Sequence, residues 1–218
     1  DLALAYRHHN VIDFQNAGAK RVTLLRSWFI PAENFPITLT AAERSRYACD
    51  LAFIGHYEND GRAEILAALS KLNLRIRIYG PDYPPADKLP QLKDFYPIKS
   101  LKSDEYNKAL NGAKIALCLL SKLNRDTYTR RCFEIPASRT LMISERTKDL
   151  ESMFTENKEI VFFDSIDDLL KKVTYYATHD RERKAIANAG YRRVYQDGHD
   201  IDSRARQLAK QIEEARHG

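Results

Sequence analysis

The densest grouping of chemistry-bearing residues is the run Thr127-Tyr128-Thr129-Arg130-Arg131-Cys132-Phe133-Glu134-Ile135-Pro136-Ala137. Two adjacent arginines present planar, paired donors of the kind that clamp a pyrophosphate. Glu134 lies one helical turn beyond Arg130, and its carboxylate can accept from two neighbouring hydroxyls, as acidic residues do for the ribose of a bound nucleotide. The same spacing also describes an ordinary helix-surface pair of Arg130 with Glu134, worth about a few tenths of a kcal/mol. A second grouping starts where the apolar run 51–54 ends in Gly55 and continues through His56-Tyr57-Glu58-Asn59-Asp60-Gly61-Arg62. A glycine at a strand–helix turn lets a phosphate reach the backbone N–H groups at the positive end of a helix. Gly55 and Gly61 match neither the dinucleotide fingerprint nor a P-loop, so a plain tight turn stands beside that reading.

The remaining reactive residues support less. His8, His9, His56, His179, His199 and His217 show no metal-ligand spacing, and no nucleophile elbow accompanies them. Of these only His56 falls near a candidate site, where it reads as an exposed loop histidine. Cys49, Cys118 and Cys132 are odd in number and widely spaced, against a disulfide framework or structural zinc. Cys118 lies inside an apolar run and reads as a small core residue; a reducing, cytoplasmic setting is expected. The net charge of +5 comes from dispersed basic residues mixed with nearly as many acids. No basic stripe interleaved with aromatics appears, so nucleic acid is excluded as a partner. No apolar run approaches the roughly 18 residues of a transmembrane segment, and no signal-peptide pattern is visible. The first residue is Asp1 rather than Met, which is read as a fragment or a processed product.

These residues need a scaffold, and the pattern supplies one. Apolar runs at residues 22–25, 51–54, 74–79, 115–120, 140–143 and 160–163 have the look of strands buried on both faces. Between them, Ile65, Leu66, Leu69 and Leu72 repeat at helical spacing, as do Tyr106, Ala109, Leu110 and Ala113. Ile166, Leu169, Leu170, Val173, Tyr176 and Ala177 form the longest stripe, with Ser165 as its N-cap. Further helices are expected from about Asp180 and over residues 202–215, the last with Ala205, Leu208, Ala209 and Ile212 inward. Such alternation predicts an α/β domain with a doubly wound parallel sheet, whose ligands bind beyond the carboxyl ends of the strands. The first 40 residues fit less well: a helix over 3–17, then a strand, then an extended link over 27–36. Residues 81–90 carry four prolines and read as a loop.

The stretch Arg131–Ala137, followed by Leu141-Met142-Ile143, resembles the donor-binding signature of retaining-type glycosyltransferases of the GT-B fold. It is most similar to the CgeB-like, spore-maturation type branch with its group 1 C-terminal domain. The resemblance continues through residues 149–154, 159–163 and 181–187 and covers about residues 48–212. It implies that Glu134 holds the ribose of a nucleotide-sugar donor. The first acid of the family's paired motif falls, seven residues intervening, on Asp126, a shorter side chain than the usual glutamate. Gly55 is implied to lie close to the donor phosphates. Arg62, Arg130 and Arg131, with Thr129 beside them, are implied to neutralise the diphosphate without a metal or other cofactor. Residues 94–98 match a strand whose end reads the nucleobase, which points to Tyr96 and Ile98. Gly80 is expected to be structural.

On this reading residues 1–40 are the remnant of an N-terminal, acceptor-binding domain plus the interdomain linker. Residues 41–218 form a Rossmann-like nucleotide-sugar-binding domain with a C-terminal closing helix. The partners implied are a nucleoside-diphosphate sugar and the missing domain, and the chain alone is expected to show little transfer. Two alternatives share the same fold: a non-catalytic ligand-binding module, and a protein-interaction scaffold that has lost the site.

Overall fold

Strands that are apolar on every residue must be covered on both faces, and this chain meets that need with helices on each side of one parallel sheet. The computed structural model describes residues 2–217. Its main sheet comprises β3 (Cys49–Ile54), β4 (Ile76–Tyr79), β5 (Ala113–Cys118), β6 (Leu141–Glu145) and β7 (Val161–Phe163), paired in parallel in the order β4-β3-β5-β6-β7. Successive side chains serve opposite layers. Ala52, Ile54, Ala116, Cys118, Met142 and Phe162 pack with α4 (Ser103–Gly112) and α5 (Arg131–Ala137). Leu51, Phe53, Ile115, Leu117, Ile143 and Val161 pack with α3 (Arg62–Leu69) and α7 (Ile166–Thr178). The chain winds outward from β3 to β4 and then crosses back to β5, so the strand order reverses between β3 and β5. That is the crevice where such sheets bind ligands.

The expected strands and central helices are present, with α8 (Asp180–Gln196) beginning where predicted. Ser165 caps α7, its hydroxyl accepting from the Asp168 amide at 3.2 Å. Ala113, placed on a helical stripe from sequence, instead opens β5.

Three expectations need correction. No strand forms over residues 94–98: a 3-10 turn occupies Pro90–Phe95, and Pro97 has no N–H to give a ladder. Only Lys99 joins the sheet, through a single bridge to Tyr79. The proposed helix over 3–17 divides into β1 (Leu2–Ala5) and α1 (His8–Asn16), and β1 pairs in parallel with β2 (Arg21–Leu24) as a separate two-stranded sheet. The last helix, α9 (Ile201–His217), turns a different face inward than its apolar pattern suggests. Ala205 and Ala209 are exposed and Ile212 is 45% exposed, while Arg204 is buried. The reason is what α9 packs against. It lies on the linker and the small sheet, which present polar groups to it: Arg204 donates to Ser27 O, Gln211 reaches the Thr23 hydroxyl, and Arg21 of β2 donates to Ala215 O of α9 at 2.7 Å.

Linker and C-terminal helix meet at a zipped junction. Phe29 N donates to His199 O at 3.1 Å and Ile201 N to Phe29 O at 3.0 Å. The His199 ring stacks on Phe133, centroids 4.4 Å apart, and its Nδ1 accepts from Arg204. That leaves the ring proton on Nε2, which is buried without a partner among the described residues. Burial first, then the charges of Arg204, Arg26 and Arg193, depress the imidazole to about 3. The folded state therefore keeps His199 neutral while the unfolded chain protonates near 6.5. Its stabilising contribution is complete above that pH and is lost as pH falls from about 6.5 toward 3. Chemical denaturation at pH 7 and pH 5 should show wild type losing about 2 kcal/mol more between the two than His199→Asn. Equal losses would sink the assignment.

Candidate functional site

The crevice at the strand reversal holds a cavity of about 430 Å³. Its walls include Gly55 and His56 after β3, Gly80 and Pro81 after β4, Ser100 and Leu101, Tyr106 of α4, and Thr129, Arg130, Arg131 and Glu134 around the start of α5. Its floor depends on two glycines. A side chain at Gly80 (φ +151°) would place its Cβ 1.9 Å from Gly55 O, and one at Gly55 would meet the Phe53 ring at 2.9 Å. The two strand ends are in backbone contact, and neither position tolerates substitution without a shift.

The structure brings Gly55, Thr129, Arg130, Arg131 and Glu134 together, as predicted from sequence. Glu134 is 8% exposed. Its Oε2 accepts from the Tyr106 hydroxyl at 2.7 Å, and its Oε1 lies 2.6 Å from Arg130 Nε, whose N–H is out of line for a hydrogen bond. The surface-pair geometry therefore exists, but inside the cleft wall. Burial first, then the charge of Glu134, push the Tyr106 phenol well above its ordinary value, so it stays a donor. Arg131 donates through Nη2 to Leu119 O at 3.2 Å, and its Nη1 lies against Gly55. Its Nε is buried without a partner, and among the described residues no carboxylate lies within 4 Å of it. Burial opposes its charge, but its shift is upward, and of the neighbouring groups the Glu134 carboxylate is the one that carries a negative charge to favour the guanidinium. A cation that lines a cavity and has no carboxylate in direct contact suits an anionic ligand.

Four predicted residues lie elsewhere or are otherwise engaged. Arg62 is only 2% exposed and is spent internally: it pairs with Asp60 at 2.7 Å and Glu58 at 3.2 Å and donates to His56 O at 2.6 Å. The Asp60 carboxylate also accepts from the first amide of α3, the place a phosphate was expected to occupy. Asp126 faces away from the cavity, held by Arg7 Nε at 2.5 Å. Tyr96 and Ile98 do not line the cleft. Tyr96 donates its hydroxyl to Pro84 O, and both pack against the opposite layer. Ser100 and Leu101 take the position assigned to them.

Sequence reasoning missed Tyr106 and understated His56. Tyr106 read as one member of an apolar stripe, although a tyrosine among Ala and Leu needs a partner for its hydroxyl. His56 lines the cavity and contacts Glu58, which also accepts from Ser121 Oγ at 2.6 Å. Among the described residues no group of three His, Cys, Asp or Glu side chains converges as a metal set, and no helix is long and apolar enough to cross a membrane.

Fold and crevice together define a Rossmann-like domain of the GT-B glycosyltransferase type. The Glycosyl transferase-like family matches residues 62–210, and the chain belongs to that family. No curated protein matches it in sequence. Among solved structures it is similar to sucrose-phosphate synthase from Thermosynechococcus elongatus, with a TM-score of 0.74 at 12% identity, over 99% of this chain and 58% of the synthase. HepE of Anabaena, in complex with UDP-glucose, gives 0.73 at 10% identity over 98% of this chain and 64% of that one. The C-terminal domain of a group 1 family glycosyl transferase (LpcC) from Francisella tularensis gives 0.62 at 16% identity, over 79% of this chain and 99% of that domain. At these identities the likeness is one of fold. The chain thus spans less than two thirds of the synthase and of HepE.

Two substitutions separate the arginines. Arg62→Met strands two buried carboxylates and should lower stability by about 3–5 kcal/mol in a denaturant titration. Arg131→Gln should leave stability within about 1 kcal/mol while weakening nucleoside diphosphate binding about tenfold or more, as measured calorimetrically. The reverse pattern would exchange their roles.

Proposed function

We propose that the chain is the nucleotide-sugar-binding half of a glycosyltransferase that transfers a sugar from a nucleoside-diphosphate sugar to an acceptor. The observation that carries this is the pairing, on one short helix facing the strand-reversal cavity, of a guanidinium with no carboxylate within 4 Å among the described residues and a buried carboxylate. Arg131 takes the diphosphate, with Arg130 and Thr129 at its edge, and Glu134 takes the ribose hydroxyls. The backbone contact of Gly55 with Gly80 lets the ligand lie close to the strand ends. Ser100 and Leu101 replace Tyr96 and Ile98 as the wall beside the base. Catalysis is electrostatic, the cationic group stabilising the departing diphosphate as charge develops there, with no metal. The three thiols, buried and free, suit a reducing, cytoplasmic setting.

On the same reading, residues 1–40 carry the remnant of an acceptor-binding domain and the linker, residues 41–218 form the donor domain, and the family branch is CgeB-like. The isolated chain binds donor weakly and transfers little. One observation favours a second reading. Asp126, at the first acid position, is clasped by Arg7 rather than turned to the cleft, as suits a ligand-binding module without transfer activity.

Calorimetric titration with UDP, GDP, ADP and TDP tests the donor site. One of the four should bind saturably, and Glu134→Ala should weaken it by about 1–3 kcal/mol. Failure of all four to bind would remove the donor site and leave only the fold. Donor hydrolysis absent from a longer, two-domain form that still binds nucleotide would favour the non-catalytic module.

A further inference from the structure

Glu134 is braced from two directions. Tyr106 reaches its Oε2 at 2.7 Å from α4, and Arg130 faces its Oε1 at 2.6 Å from the turn preceding α5. A carboxylate offers about four acceptor positions, so these two partners leave one on each oxygen. Tyr106, Arg130 and Glu134 all line the same cavity, so the remaining positions are available to a ligand there.

The two braces are unequal. Arg130 is 40% exposed along its side chain and sits on the same turn as Glu134, so it would draw the carboxylate into the familiar i,i+4 fork. The Tyr106 hydroxyl opposes that collapse. It is fixed by α4, whose Ala109 and Leu110 are buried in the core, and it donates to the oxygen farther from Arg130. With the hydroxyl in place, both carboxylate oxygens stay presented side by side, the arrangement that two hydroxyls on adjacent carbons satisfy together. A ligand lacking one of them leaves a buried acceptor unpaired, and sites built to bond a hydroxyl reject such analogues strongly.

Resting on the donor-site reading above, we propose that Tyr106 is a positioning residue that makes this cleft select ribonucleoside diphosphates over their 2′-deoxy counterparts. The donor class that follows is a sugar carried on a ribonucleotide such as UDP, GDP or ADP, with deoxythymidine-linked sugars excluded.

Equilibrium titration of UDP, 2′-deoxy-UDP and 2′,3′-dideoxy-UDP into wild type and Tyr106→Phe tests this. Wild type should bind UDP about tenfold or more tightly than 2′-deoxy-UDP. Tyr106→Phe should shrink that ratio to within about threefold, while its affinity for the dideoxy compound stays within about twofold of wild type. A ratio that survives the substitution overturns the proposal. So does a parallel loss for all three ligands, which marks Tyr106 as a packing residue. Equal wild-type affinity for UDP and 2′-deoxy-UDP, or binding of TDP but of no ribonucleoside diphosphate, overturns the proposal and spares the donor site; no binding of UDP, GDP, ADP or TDP by wild type overturns both.

Discussion

The arrangement of the cleft depends on how one buried arginine is neutralised. Arg62 sits at the head of α3 with Asp60 at 2.7 Å and Glu58 at 3.2 Å, all of them removed from solvent. A charge at such depth is tolerable only when paired and hydrogen-bonded, and here the pairing also fixes the conformation of the β3–α3 loop. Three consequences follow. The His56 carbonyl is pulled toward the guanidinium, which sets where the loop leaves Gly55. Asp60 fills the amino end of α3. The cationic character of the cavity passes across the strand reversal from the β3 side to the β5 side, where Arg131 has no carboxylate within 4 Å among the described residues.

What the sequence shows and hides follows from the same physics. The strands were legible because apolar residues on both sides of a parallel sheet leave unbroken runs, such as Ile115 to Cys118. Glu134 and Arg131 were legible because they sit on one short helix, where spacing along the chain is spacing in space. Arg62 misled because its carboxylates, Glu58 and Asp60, lie four and two residues before it, where sequence alone suggests only a polar loop. The segment before Lys99 misled in the opposite sense. Leu92, Phe95 and Ile98 are apolar because they cover the sheet from the side, not because they join it, and Pro97 had already removed the amide a strand needs. In α9 the apolar stripe pointed the wrong way because the helix packs on polar groups, the Ser27 carbonyl and the Thr23 hydroxyl, which reward Arg204 and Gln211 over alanine.

The amino-terminal segment grips the donor-side loop at several points. Arg7 holds Asp126, the Tyr128 hydroxyl donates to Tyr6 O, and Asp149 gathers Arg26, His8 and Thr127. Residues 126–128 lead directly into Arg130 and Arg131, so the geometry of the cleft's cations is coupled to the small sheet through three short links. The coupling is one of covalent proximity, charge pairing and one hydrogen bond.

The charge count around the cavity sets a limit on what this chain does by itself. Arg130 is matched by Glu134 and Arg62 by two carboxylates, so among the described residues one guanidinium without a carboxylate in direct contact, that of Arg131, lines the opening. A nucleoside diphosphate brings several negative charges, and a single partly buried cation offsets only part of them. On the donor-site reading, the remainder must be met by water or by groups supplied from the open side of the crevice. Water is the poorer partner, because it must reorganise as charge grows on the departing diphosphate, whereas fixed donors need not. On the same donor-site reading, a half-site of this composition would hold the nucleotide by its ribose and one phosphate contact, and would leave the larger share of transition-state stabilisation to whatever closes over it.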